Sequence, residues 1–363
     1  MLLLVVLFFI FFILSIFEVF FFTKISRWLK LSMLVYPMIF VFIISGFNTT
    51  SPDYLNYIQY ISLSKLDDFT YINGKLIEPL FSFMSALLLY FSGSHAMTYA
   101  IFPVLSMIMI GYVAFKKSRY FFLAMLIYLS HSFLNKELIQ IRAGLISSLL
   151  LMAVYLISER KIYRGGLLLI SSSLVHFSAS VQFIPLTFMY IMRNKMSIRR
   201  IVWSLVLLSF LFSWCGAYDL IINTLSSFNL IPDVVNGYLG WSEYNYKLGL
   251  LNPVLLKGVF ILALSSIILK NEINNDFFIR ASWVLYAFGV FWLAIFSDFA
   301  IMAARIAAIF NIFEIFLLPI CLAHVRHSNK LVLFFLVSCY AVMTFIINIY
   351  IKNILMDIYF GFW

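Results

Sequence analysis

Apolar runs of about twenty residues follow one another along the whole chain with only short polar connections between them, and a helix needs a run of that length to cross the hydrocarbon of a bilayer. In that solvent each backbone N–H and C=O must find its partner inside the protein, which confines such runs to helices. Of 363 residues, 64% are hydrophobic and 11% charged, against the ~25% charged of a soluble domain, so nothing is left over for a soluble catalytic domain. The sequence predicts an all-α, polytopic integral membrane protein, a single transmembrane domain over 1–363 with about 11–12 spanning helices and short re-entrant or interfacial ones. Any chemistry must come from the spans and the loops between them.

The spans read as roughly 1–23, 31–47, 96–115, 119–134, 138–157, 166–190, 199–217, 253–270, 278–297, 301–323 and 331–351. The opening run has no basic region before it and no small-residue cleavage site after it, so it reads as a first span rather than a cleavable leader. Segment 77–93 is apolar but short, as a re-entrant or interfacial helix would be, and 166–190 carries basic residues at both ends, as a bent or hairpin pair of short helices would. Cys215, Cys321 and Cys339 lie in apolar segments, and an odd number there argues against a disulfide framework or a metal site.

Lys and Arg set the orientation. The connections "KISRWLK", "KKSR", "ERKIYR", "RNKMSIRR", "KNEINNDFFIR" and "HVRHSNK" hold seventeen of the 25 basic residues, and ten of the fifteen acidic residues fall on the other side. The net charge of +10 therefore records topology and attraction to anionic lipid rather than nucleic-acid binding. The scheme puts both termini outside, together with two longer polar loops, 48–76 and 218–252. Both loops are rich in Tyr, Asn, Ser and Asp, with Trp241 in the second. Aromatic faces beside amides and hydroxyls suit sugar rings; an interfacial aromatic belt is the structural alternative.

Two arginines stand where a charge is costly. Arg142 is at the outer end of one span and Arg305 about a turn into another, each among small residues: Ala143-Gly144, and Ala303-Ala304 with Ala307-Ala308. Such charges line cavities or pair with something. Two guanidinium forks, with Lys136 nearby, suit the oxygens of a diphosphate; the alternative is pairing with Glu78, Glu137 or Asp298. His176 shares a polar stripe with Ser172, Ser173 and Ser180, fitting either a hydrogen-bonded core residue or a general base. Asp53, in "DYLNY", and Glu78, before Pro79, read by themselves as loop or helix-start caps. For Glu18 and Glu314, within spans, inter-helix hydrogen bonding is expected. Asp67-Asp68 reads as solvated loop.

In order, "DYLNY", "EPLF", "IQIRAGLISSLLLMA", "SSLVHFSASVQFIPL" and "AARIAAIFNIFEIFLLP" resemble the EpsG-like family of O-antigen and exopolysaccharide polymerases (Wzy type), over residues 1 to about 320. One departure is Ser51-Pro52 before Asp53, where the family often has Gly-x. The resemblance implies an inner-membrane glycosyltransferase with its active site facing the periplasm. It would transfer a growing glycan from undecaprenyl diphosphate to a repeat unit on the same carrier. Implied partners are undecaprenyl-diphosphate-linked oligosaccharides, membrane lipid and a chain-length regulator protein; no cofactor, metal or nucleic acid is expected. The implied base is Asp53 or His176, with Asp53 preferred because it lies on the outer loop. The implied substrate-binding residues are Arg142, Arg305, Lys136, Tyr54, Tyr57, Glu78 and Gln140. A flippase for lipid-linked oligosaccharide also needs an Arg-lined cavity, and a membrane acyltransferase is a third class. The flippase predicts an internal repeat between the halves, which the sequence does not display.

Overall fold

The computed structural model describes residues 2–21, 26–47, 51, 53–66, 71–72, 75–76, 78–192, 198–227 and 246–351. Apolar helices dominate. Among the described residues six, within Leu4–Phe21, Trp28–Gly46, His95–Lys117, Ile141–Ser158, Phe277–Ile295 and His327–Tyr350, are long and apolar enough to cross a membrane. The pair Ala300–Asn311 and Glu314–His324, bent by 46° at its break, makes a seventh if counted as one span. Where the sequence predicts eleven or twelve crossings, several of the remaining apolar runs are shorter helices: Pro79–Ser92, Ile162–Val175, Phe177–Ile191 and Pro253–Ile268. Hydropathy gives the amount of apolar chain but not where a helix stops, and a turn inside an apolar run is invisible to it.

The chain packs as two compact units, one of Met1–Ser180 with Leu318–Trp363, the other Val181–Leu317. In the first, α1 (Leu2–Ile16, continued as a π-helical turn at Phe17–Phe21) and α2 (Arg27–Phe47) are followed by α3 (Tyr54–Leu63). The polar segment 48–76 thus holds a helix of its own, then a two-residue antiparallel ladder pairing Tyr71 with Leu76. Next come α4 (Pro79–Ser92), α5 (His95–Lys117), α6 (Phe121–Ile127) with π-helical Tyr128–Glu137, α7 (Ile141–Ser158) and α8 (Ile162–Val175). α5 is the hub, with α2, α3, α4 and α7 against it, and α8 lies on both α4 and α7. Where α2 and α5 approach, a Cβ on Gly111 would stand 2.6 Å from Leu34 Cδ1, so the Leu34 side chain packs directly on the glycine. Glu18 does what a buried carboxylate must: it pairs with Lys30 at 2.9 Å and accepts from the Phe122 N–H at 2.7 Å.

In the second unit the helix Phe277–Ile295 is central, packed by Phe183–Ile191, Ile198–Trp214, Pro253–Ile268 and Ala300–Asn311. Lys257 and Glu314 pair there at 3.0 Å, with Glu314 fully buried. Both in-span glutamates are therefore inter-helix partners, as their setting predicts. The second long loop reaches residue 227 as a helix, Ala217–Ser227; 228–245, with Trp241, lie outside the described residues.

Candidate functional site

Three local features of the first unit converge. The first is the start of α4. Pro79 cannot donate a hydrogen bond and fits the first helical turn, while the residue before it is pushed to extended backbone. Glu78 accordingly sits at φ −68°, ψ 109° with no capping hydrogen bond of its own. Its carboxylate turns away from the helix it precedes. The second is the end of α8, where the hydroxyls of Ser172 and Ser173 both donate to the Leu169 carbonyl, at 2.8 and 3.3 Å. Such bonds compete with the helical ladder. The helix ends at His176 (φ −157°), and the chain continues through a 3₁₀ stretch, Phe177–Gln182. The sequence prediction of a bent element over 166–190 is realised at this residue. The third is the first turn of α7, which carries Arg142.

Glu78 joins the three. Its Oε1 is 2.7 Å from His176 Nδ1, and its Oε2 accepts from Arg142 Nη1 at 3.0 Å. The Glu78 side chain is 11% exposed, that of Arg142 23% and that of His176 31%, so the histidine is the open member. Burial works against the charge on Glu78, but the hydrogen bond from His176 and the positive charge of Arg142 outweigh it and hold the carboxyl below its usual range. An ionised acceptor on Nδ1 fixes that nitrogen as the donor and leaves the lone pair on Nε2.

Arg142 is caged by aromatic rings. Its guanidinium carbon lies 5.2 Å from the Tyr60 ring centroid, 5.4 Å from Tyr57 and 5.6 Å from Phe81. These are cation–π distances, each worth about 0.5–2 kcal/mol according to how desolvated the pair is. The cage comes from α3, whose tyrosines at 54, 57 and 60 follow helical spacing. Tyr54 and Tyr57 are buried. Their rings pack edge-on or tilted against Tyr99, at 5.0 and 5.9 Å. Of the two tyrosines expected to bind substrate, Tyr57 is a wall of the cage and Tyr54 packs on Tyr99. Burial raises the phenol pKa of Tyr54, Tyr57 and Tyr60.

The other sequence candidates fall elsewhere. Asp53 occupies the N-cap position of α3, half-buried, with no side-chain capping bond; its carbonyl accepts from Tyr57 N–H at 3.0 Å. Lys136 turns into the packing, 3% exposed, and donates to Ser147 Oγ at 3.2 Å. Gln140 is half-buried at the N-cap of α7, and its carbonyl accepts from Gly144 N–H at 3.0 Å. Arg305 is exposed and belongs to the second unit, while Asp298 pairs with Lys247 at 3.3 Å. Of the partners considered for Arg142 the structure selects Glu78. Sequence reasoning missed Tyr60, Phe81 and Tyr99. Tyr60 was visible three residues after Tyr57, and Phe81 closes "EPLF". Tyr99, in a featureless apolar run, gives no signal.

A helical, multi-pass membrane protein with a bridging carboxylate between a histidine and a caged arginine is the class that fold and site define. Residues 31–361 match the EpsG family, and the chain belongs to it. Membership supports a polymerase or glycosyltransferase-like role. No curated protein and no solved structure matches the chain.

Proposed function

We propose that this protein is an O-antigen or exopolysaccharide polymerase of the inner membrane, working on the periplasmic side. It would transfer a growing glycan from undecaprenyl diphosphate to a repeat unit on a second undecaprenyl diphosphate. The observation that carries the reading is Glu78 shared between His176 Nδ1 and Arg142 Nη1. The acceptor hydroxyl attacks the donor's anomeric carbon. Its proton passes to His176 Nε2, the new C–O bond forms, and the bond to the diphosphate oxygen breaks. Glu78 holds the imidazole in the tautomer this step needs and offsets the imidazolium charge that results, as an orienting carboxylate does in hydrolytic triads. Arg142 spends one donor on Glu78, and its buried Nε has no partner among the described residues; a leaving-group oxygen would satisfy it. Between the two candidate bases the geometry favours His176, which has an orienting partner, over Asp53.

Polymerisation by the purified protein in liposomes, compared for wild type, His176→Gln and Asp53→Asn, tests the assignment. His176→Gln should lose about 10²–10⁴-fold, the contribution of a positioned base, and Asp53→Asn should keep most of its rate. The opposite pattern would return the role to Asp53. At the cellular level, loss of the gene should leave surface glycan of single repeat units, whereas loss of all surface glycan would make the chain a lipid-linked oligosaccharide flippase. The same reading puts α3 outside. A cysteine at the exposed position Ser62 should react with an impermeant maleimide from the periplasmic side.

A further inference from the structure

The turn that launches α7 is held by groups outside the hydrogen bonds of the Glu78 cluster. On one side the fully buried Tyr99 donates its hydroxyl to the Leu138 carbonyl at 3.3 Å. The same ring packs on Tyr57, a wall of the Arg142 cage. On the other side the Glu137 carboxyl lies flat on Gly144. A Cβ at Gly144 would overlap Glu137 Oε2 and stand 2.7 Å from Cδ and 2.8 Å from Oε1. Gly144 also closes the first turn of α7 through its N–H on the Gln140 carbonyl, 3.0 Å, and Arg142 is in the middle of that turn. Whatever shifts Gly144 shifts Arg142.

Glu137 is an unusual way to fill such a notch. It is fully buried, and neither of its oxygens has a hydrogen-bond partner among the described residues. The hydroxyls of Ser106 on α5 and of Tyr128 and the ammonium of Lys136 are the polar groups beside it. A carboxyl placed there is costly, and plain packing would be met at lower cost by an apolar side chain.

We infer that Glu137 and Gly144 form a positioning pair: the carboxyl head seated in the glycine notch sets the first turn of α7 and so the reach of the Arg142 guanidinium. The inference rests on the role given to Arg142 above. Neither residue touches substrate; both act through Arg142.

The pair is tested with purified protein in liposomes. Gly144→Ala should lower kcat by about 10²-fold, the size of an ångström-scale misplacement of a reacting group, with little change in KM. Glu137→Gln, which keeps the planar shape, should keep wild-type turnover. Glu137→Ser should restore much of the rate to Gly144→Ala by vacating the overlap. In the Arg142→Lys background Gly144→Ala should cost nothing further, because effects that run through one residue do not add. Full additivity there, or a Gly144→Ala protein as active as wild type, would overturn the inference. The Tm cost of Arg142→Lys, measured with and without Gly144→Ala, gives the same cycle without activity, and there too additivity overturns the pair. If the wild type makes no polymer, the function reading fails while the thermal cycle still decides on the pair.

Discussion

Each unit of the molecule buries a carboxylate against a cation, and the two sites are built to different ends. In the second unit Glu314 is sealed, fully buried, and Lys257 beside it is 19% exposed. In the first, Glu78 divides its two oxygens between Arg142 and His176, and the His176 side chain is open by nearly a third. A closed pair joins helices: once both charges are buried, their mutual attraction offsets the cost of removing them from water. A carboxylate shared with a titratable, accessible imidazole does something a structural pair has no need of, since it fixes a tautomer and keeps a lone pair available. The membrane interior makes every charge expensive, so the expense itself says little. How the partners are divided, and what is left open, separates scaffold from site.

The comparison can be broken in four ways. The largest expected effect is on Glu78. Glu78→Gln should cut the polymerisation rate by about 10²–10⁴-fold, the range for a positioned base that has lost its orientation, in protein that still inserts and purifies. A mild rate defect with a large loss of Tm would make the shared carboxylate a structural pair after all. Next is Lys257→Met, which strands the Glu314 charge and should cost about 3–5 kcal/mol of stability, whereas Lys257→Met with Glu314→Leu should be close to neutral. Thermal unfolding in detergent reads this. Turnover per folded molecule should be unchanged in the double variant, and a dead but stable double variant would move the second pair into the mechanism.

Arg142→Lys is third. It keeps the charge and loses the fork, so the loss should be about 10–150-fold in rate, corresponding to one charge-assisted contact of ~1.5–3 kcal/mol. Full activity would remove Arg142 from the leaving-group site. The smallest effect concerns pH. Glu78 is held below its usual range, so the stability it adds is present above the unfolded pKa of ~4.3 and lost only as pH falls through the lower folded value. The Tm difference between wild type and Glu78→Gln should not shrink between pH 8 and 5 and should shrink below about 4.3. A difference already shrinking at pH 6 would contradict an ionised, doubly bonded Glu78.

Local chemistry in this chain was legible, and long-range partnership was not. "EPLF" announces an extended residue before a proline-started helix, and that is its backbone. Basic residues at both ends of 166–190 announce a pair of short helices, and α8 ends within that run, at His176. Glu18 and Glu314 announce helix partners, and both have them. But Glu78 and His176 are 98 residues apart, and Glu78 and Arg142 are 64 apart. No periodicity reports which apolar helices will bring such residues together. The same blindness leaves open, in the sequence, whether Tyr54 and Tyr57 face substrate or the core; both are buried. An aromatic stripe facing a core and one facing a ligand have the same spacing, and only the packing of α3 on α5 tells them apart. Lys136 was placed with the arginines for its charge, yet its stem and ammonium run inward to Ser147. In a chain that is greasy on all faces, the hydrophobic pattern does not mark the inside.

Glu78 stands at the beginning of α4 and His176 at the end of α8, and each of these helices has 14 residues. At 1.5 Å per residue that is about 21 Å, some two-thirds of the ~30 Å hydrocarbon layer. A bilayer meeting so short an apolar girdle thins to match it, at a cost of fractions of a kcal/mol per ångström. Where these two helices border lipid, the bilayer is expected to dip toward them, with their polar ends at the floor of the dip. A headgroup sliding laterally in the outer leaflet would reach that floor by following the dip of the lipid surface rather than by leaving it.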